Sequence, residues 1–358
     1  MRPSHRRSAA VLCALLATAA PSITRGARAQ GPAQRLASRS WTVARDPFMD
    51  LWFHALATVG YEGFGPLALY DVRYAERTRV EKRRMGVSTM LDRKAVELRA
   101  AFAADSAFEI LHFVPLYFAG QDPDRALASL RRALERTNAP NDATARLIVS
   151  SLPLAREQTT FRTFIDAVDD EWKSFLRQSR ASHSIDDARS TRELQLAWDG
   201  RFARPLAWYL DAMGLTRGTI VVSPAVGSEG RIVRDADGSA IVAVSSERRN
   251  TAIAPLLSSV RELAFPLLDR LHTPPDRRAR VVAARARDAA AVRAGALILE
   301  ASDTVLAMEY RRLFLDLAGG RTFESAYPID ISAEAELRGL IAASARGLAT
   351  RGTSYENP

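Results

Sequence analysis

Gly238-Ser239-Ala240-Ile241-Val242-Ala243-Val244 is followed, a short step down the chain, by Arg261-Glu262-Leu263-Ala264-Phe265. The first stretch is apolar and β-branched, and it reads as a strand. The second lies inside a run from Thr251 to Leu271 that reads as a helix. Two more strands precede them, Thr219-Ile220-Val221-Val222-Ser223 and Arg231-Ile232-Val233. Asp235-Ala236-Asp237-Gly238 between the last two strands is turn chemistry. From Thr251 the chain reads as helical almost to its end. Before Gly218 it is helical too, so the expected fold class is α+β. Many helices surround a small sheet near residues 219–245, expected to be antiparallel and packed against the Arg261–Phe265 helix.

The helices upstream are legible one by one. Asp46-Pro47 is an N-cap followed by Pro at the first helical position. Phe48 to Val59 is apolar on nearly every face, which demands burial. Asp71–Arg84, Leu91–Phe102, Ser106–Phe118 and Asp124–Glu135 follow. Phe161, Phe164, Ile165, Val168, Trp172, Phe175 and Leu176 form one stripe at helical spacing. The acidic run Asp169-Asp170-Glu171 falls off that stripe and reads as solvated. Residues 179–190 are polar and read as a linker. Glu193 to Met213 is helical again, with Gly214 as its stop.

The five residues 261–265 have the frame of H-E-x-x-H, with the Glu kept and both His replaced. In that motif two imidazoles at i and i+4 grip one zinc ion, and the Glu takes a proton from metal-bound water. Over about residues 218–316 the chain resembles the secreted zinc metallopeptidases whose third ligand is a Glu on the next long helix, the gluzincin-like group. The resemblance places Glu262 at the general-base position, Arg261 and Phe265 at the two His positions, and Glu300 at the third-ligand position. Ala301-Ser302-Asp303 is one residue short of the group's E-x-x-S-D, and Pro266 interrupts its usual helix. A protonated Arg cannot ligate a metal, and Phe has no donor atom. The resemblance therefore implies a pseudoenzyme: a peptidase-like scaffold with no metal and no other cofactor, binding a peptide or an envelope protein. Arg261 is expected to replace the ion by pairing with Glu300, or with Glu262 if the helices are rotated. Two other readings stand beside it. One is a helical interaction or structural protein of the cell envelope without peptidase ancestry; the other is an active hydrolase with an unrecognised site.

The N-terminus reads as an export signal. Arg2, Arg6 and Arg7 precede a short apolar run, Ala9 to Ala20, and Ala27-Arg28-Ala29 is a cleavage pattern. The expected organisation is a signal peptide over 1–29, a flexible leader over 30–45, a helical domain over 46–213 and the peptidase-like region over 218–350. The protein is then periplasmic or extracellular. Five of the 50 basic residues and none of the 41 acidic ones lie in 1–29, so the formal charge falls from +9 to +4. That removes the case for nucleic-acid binding. Cys13 leaves with the signal, and no later run is apolar enough to span a membrane.

Four His remain. His54 and His112 sit in apolar helices and read as satisfied core residues, His183 lies in the polar linker, and His272 ends a helix, where the dipole favours a cation; none pairs with another at ligand spacing. No nucleophile elbow, phosphate loop or dinucleotide fingerprint is present. Asp235-Ala236-Asp237-Gly238 starts like a calcium loop but lacks the Glu at its twelfth position.

Overall fold

The computed structural model describes residues 40–61, 67–135, 143–235, 237–271, 279–319 and 322–353. Residues 1–39, which hold the expected signal and the first part of the expected leader, lie outside the described residues, as do His272 and the turn-rich Gly63-Phe64-Gly65-Pro66. The fold is α+β and predominantly helical, with a four-stranded mixed sheet.

The sheet runs β1 (Trp41–Ala44), β2 (Arg217–Ser223), β4 (Ser239–Ser245) and β3 (Arg231–Arg234) in spatial order. It is mixed, not antiparallel: β1 and β4 both run parallel to β2, and only β3 is antiparallel to its neighbour β4. The physical reason is burial. Val221 of β2 and Ala243 of β4 face a first core, while Ile220 and Val222 of β2 join a second on the other side, with Ala240, Val242 and Val244 of β4. A sheet covered on both faces is the setting in which parallel strands occur, and its strands read as continuous apolar runs. β1 also corrects the leader. Residues 41–44 are not flexible; Trp41 and Val43 are buried and pair with Gly218 and Ile220.

The first core is built by α1 (Pro47–Val59), α2 (Val72–Met85), α3 (Met90–Ala104), a 3-10 turn (Ser106–His112), α4 (Val114–Tyr117), α5 (Pro123–Leu134), α6 (Ala143–Ser150) and α7 (Ala155–Glu171). Asp46 caps α1 through the Met49 amide at 2.8 Å, and every residue from Phe48 to Val59 is buried, as its all-round apolarity requires. α7 then continues through a π turn (Trp172–Leu176) into α8 (Arg177–Ala197), a second π turn (Trp198–Phe202) and α9 (Ala203–Ala212). The result is an unbroken helical rod from Ala155 to Ala212, on the order of 85 Å long at 1.5 Å per residue. A π turn inserts one residue and rotates the following face. Trp172 and Phe175 thus stay in the first core, while Trp198, Phe202, Leu206 and Tyr209 belong to the second. The second core takes side chains from both sides of residue 213.

Residues 179–190 are helix, not linker. They show no apolar period because the middle of the rod is held by polar ties alone. Arg45 donates to Asp187 at 2.7 Å, Ser179 to Glu81 at 3.2 Å, and Arg180 to Asp50. At its far end Gln195 accepts from the Val43 amide at 2.6 Å and donates to the Trp41 carbonyl at 3.2 Å. One side chain thereby satisfies the open edge of β1, which would otherwise present unpaired backbone.

The second core is completed by α10 (Ala254–Leu263), α11 (Phe265–Leu268), α12 (Ala279–Glu300), α13 (Thr304–Leu317), α14 (Phe323–Ala326) and α15 (Ile331–Thr353). No described helix is long and apolar enough to cross a membrane.

The acidic run on α7 also needs correcting. Glu171 is not solvated but wholly buried. It receives His54 Nε2 at 2.7 Å, Lys82 Nζ at 2.8 Å and Thr89 Oγ1 at 2.5 Å. His54 is satisfied at its other nitrogen by the Tyr74 hydroxyl at 2.8 Å.

Candidate functional site

α10 begins with Pro255 near its start and stops at Leu263. Pro266 has no amide hydrogen to continue the ladder, so the expected single helix over 251–271 breaks at Ala264 into α10 and the short α11. The break brings Phe265 beneath two guanidinium groups. Its ring centre lies 5.3 Å from Arg261 and 5.7 Å from Arg287. Phe265 is thus a cation–π platform.

Arg261 is among the largest fully buried side chains, at 1% exposure. Its Nη1 donates to Glu262 Oε1, and its Nη2 donates to Asp288 Oδ1 of α12 at 2.9 Å. Glu262, equally buried, also receives the Gly230 amide at 3.2 Å. Gly230 is needed there: a Cβ would sit 2.6 Å from the Ala243 carbonyl oxygen and 2.8 Å from Glu262 Cγ. Beside it, Arg231 donates to Glu229 and to the Gly230 carbonyl, and its guanidinium lies 5.5 Å from the Phe113 ring centre. The loop carrying Glu229 is pinned to the segment after α1. The amides of Gly227 and Glu229 donate to the carbonyls of Leu69 and Ala68 at 2.8 and 2.9 Å. That pairing delivers Tyr70, whose hydroxyl bonds His112 Nδ1 at 2.7 Å, with Tyr61 stacked on the imidazole at 4.6 Å.

The site is therefore a buried polar cluster between the two cores. It holds two guanidinium groups, Arg231 and Arg261, against three carboxylates, Glu229, Glu262 and Asp288. One negative charge is in excess, and titration reflects it. Burial raises Glu262 above the usual carboxylate range, with Arg261 and Arg231 pulling against it. Burial likewise raises Asp288 to about 6, opposed by Arg261 and Arg231 and aided by Glu229 and Glu262. Burial holds His112 well below its ordinary value, helped by the positive charge of Arg231, so the ring is neutral. Among the described residues Arg261 Nε, Arg231 Nε, Glu229 Oε2, His112 Nε2 and the Tyr310 hydroxyl have no hydrogen-bond partner. Buried groups of this kind are rare in folded proteins; Asp50, Thr58, Trp172, Ser223 and Glu309 carry the others among the described residues.

Of the residues singled out from sequence, the structure brings Arg261, Glu262 and Phe265 together and leaves Glu300 out. Glu300 is the last residue of α12 and receives Arg311 Nε at 3.0 Å. It lies a dozen residues beyond Asp288, about 18 Å along the helix axis. Asp288 is the acid that meets Arg261. The sequence carries a faint signal for it: Arg287-Asp288 heads an otherwise apolar run, Ala289-Ala290-Ala291-Val292. Glu229, Arg231 and Tyr310 had no such marker, because they act from a loop, an edge strand and a helix that only the fold brings near α10.

The donor chemistry does not fit zinc. Arg261 is a permanent cation, Phe265 offers no lone pair, and Glu300 is engaged elsewhere. Among the described residues no three His, Cys, Asp or Glu side chains are grouped to share an ion. Nor is Glu262 placed to act as a base, since a base must meet its proton donor and this carboxylate is shut in by Arg261 and Gly230.

The raised Asp288 predicts a pH effect of definite sign. Its folded value near 6 exceeds its unfolded value of 3.8, so between these the folded state binds more protons. This contribution to stability is present below about pH 4 and is lost as pH rises through about 6, on the order of 3 kcal/mol. Asp288→Asn should flatten the melting temperature across that window. A pH profile identical to the parent's would show that Asp288 does not titrate there.

No protein-family model, curated protein or solved structure matches this chain.

Proposed function

We propose that this chain is an exported, non-catalytic metallopeptidase-like protein that works by binding a peptide or protein segment. The observation that carries the reading is the seat of Arg261. Its guanidinium lies between the carboxylate at the general-base position, Glu262, and an acid from the next long helix, Asp288. A permanent single cation between those two carboxylates supplies part of the positive charge that a divalent ion would supply on such a scaffold, without its chemistry. The order of elements agrees with the resemblance: β4 precedes α10, and α12 follows with its acid.

Peptide binding is supported by β3. Among the described residues it pairs with β4 alone, and the bond from the Asp235 amide to the Ser239 carbonyl at 2.9 Å fixes the alternation. Ile232 and Arg234 then turn their backbone N–H and C=O away from the sheet. An open edge of this kind takes an extended peptide as a further strand. It lies beside Gly230 and the buried cluster, so a bound segment would run past the position of Glu262.

The test has two arms. Purified protein should carry no stoichiometric zinc and show no chelator-sensitive peptide hydrolysis; zinc near one equivalent, lost together with activity, would overturn the non-catalytic reading. A displayed library of random decapeptides should yield binders whose affinity falls in Arg234→Pro, which removes one outward amide from an exposed position. Binders indifferent to that change would place peptide recognition elsewhere.

A further inference from the structure

On the outer surface of the first core, α2 and the polar middle of α8 flank an open groove of about 770 Å³. Arg73, Arg77, Val80 and Arg84 line it from α2, with Ser182 and His183 opposite on α8. The α2 residues fall at i, i+4, i+7 and i+11, so they share one helix face over roughly 16 Å.

Three guanidinium groups and two carboxylates, Glu76 and Glu81, line the groove, which leaves a small positive excess. Glu76, on the same face, is already engaged by Arg79 at 3.0 Å and Arg83 at 3.7 Å. Glu81 accepts the Ser179 hydroxyl at 3.2 Å, a bond that ties the two walls together. Arg77 and Arg84 have no carboxylate within ion-pair distance among the described residues, and the nearest to Arg73 is Glu247 at 3.7 Å. Between these cations Val80 is 51% exposed, and Val72 at the start of the helix is 69% exposed. His183 uses Nδ1 on the Ser179 carbonyl at 2.8 Å, which leaves Nε2 for a ligand.

We propose that this groove binds an acidic, amphipathic segment of a partner protein, with its acids on Arg77 and Arg84 and an apolar side chain on Val80. A compact anion such as phosphate would use one cation and gain nothing from a row of them spread along three turns. A featureless polyanion would gain nothing from an exposed valine set between the charges. The combination of spaced cations and a central apolar contact selects a segment with acids about one to two helical turns apart and an apolar residue between them. This inference is independent of the peptidase-like reading, because it concerns the opposite core and none of the residues around Arg261.

The probe is a fluorescein-labelled peptide of Glu residues with a Leu at every fourth position, measured by anisotropy against the full mature chain. Saturable binding is expected, weaker in high salt because the attraction is screened. Arg77→Glu with Arg84→Glu should weaken it about tenfold or more, and the neutral pair Arg77→Gln with Arg84→Gln by a smaller factor in the same direction. Val80→Ser should cost roughly a few-fold. The control pair Arg125→Glu with Arg312→Glu makes the same change in net charge on α5 and α13 and should leave binding within about twofold. Loss of binding in the control equal to that in the groove variants would reduce the effect to net charge and overturn the proposal. So would Val80→Ser without effect together with equal binding to heparin or to phosphatidylglycerol vesicles, which would indicate a general polyanion surface. Absence of saturable binding to the parent protein overturns it directly.

Discussion

Arg261→Ala should destabilise the protein by ~3–5 kcal/mol, lowering its melting temperature by on the order of 10 °C. The truncation removes the guanidinium that joins Glu262 and Asp288 and leaves one buried and one half-buried carboxylate without it. Their pKa values, already raised by burial, would rise further, so the variant's deficit should shrink as the pH is lowered and both take up protons. Arg261→Lys should recover only part of the loss. An ammonium cannot span two acids from a planar fork, and it cannot stack on Phe265 as the guanidinium does. Arg312→Ala, an exposed change on α13, is the reference and should cost within about 0.5 kcal/mol. Replacing all three charges together, by Arg261→Met, Glu262→Gln and Asp288→Asn, should be far milder than Arg261→Ala alone, because no unpaired charge remains buried. A melt unchanged by Arg261→Ala would mean that the buried fork contributes nothing to stability, and the idea that it stands in for an ion would go with it.

How much of this was legible in the sequence depended on whether the signal was local. α1 was plain, since an Asp-Pro cap followed by residues apolar on every face can only be a buried helix. β2 and β4 were plain as strands for a similar reason. Their direction was not, because parallel pairing of β1 with β2 joins residues some 170 positions apart and leaves no turn in the sequence to mark it. β1 itself is four residues next to an Arg-rich stretch, too short for alternation to show. The middle of α8 was misread because polarity all round a helix is the pattern of a linker as well as of a rod supported at both ends. At the site, Arg261 and Glu262 were found through a motif frame, and their mutual pairing was one of the two arrangements expected. The sequence points to Glu300 and not to Asp288 because an acid's identity on α12 says nothing about which turn of that helix crosses α10.

Glu171 teaches the same lesson on the other core. Three consecutive acids on α7 look alike, yet Asp169 and Asp170 pair near the surface while Glu171 rotates inward to meet His54, Lys82 and Thr89. Lys82 is itself buried, and its remaining partners are Asp92 at 2.6 Å and Thr89 at 3.0 Å.

Glu171→Gln should therefore approach the damage of Arg261→Ala, at ~3 kcal/mol near neutral pH, since it removes the buried charge that His54 and Lys82 both meet and leaves Lys82 with Asp92 as its one carboxylate. Lys82→Met combined with Glu171→Gln should restore much of that loss. Burial alone would push Glu171 up, but His54 and Lys82 outweigh it and bring it down to about 2, below its ordinary 4.5. The folded value is the lower one, so this contribution is fully present above about pH 4.5 and is lost as pH falls toward 2. Asp288 acts in the opposite sense over a higher window, so the two contributions together favour mildly acidic conditions, about pH 4–5. Melting the parent and Glu171→Gln in parallel isolates the first contribution, because the gap between them should be wide at pH 7 and close by about pH 2–3. A gap that stays constant down to that pH would mean that the carboxylate is not held in its charged form by His54 and Lys82, and that the network stabilises the core by packing alone.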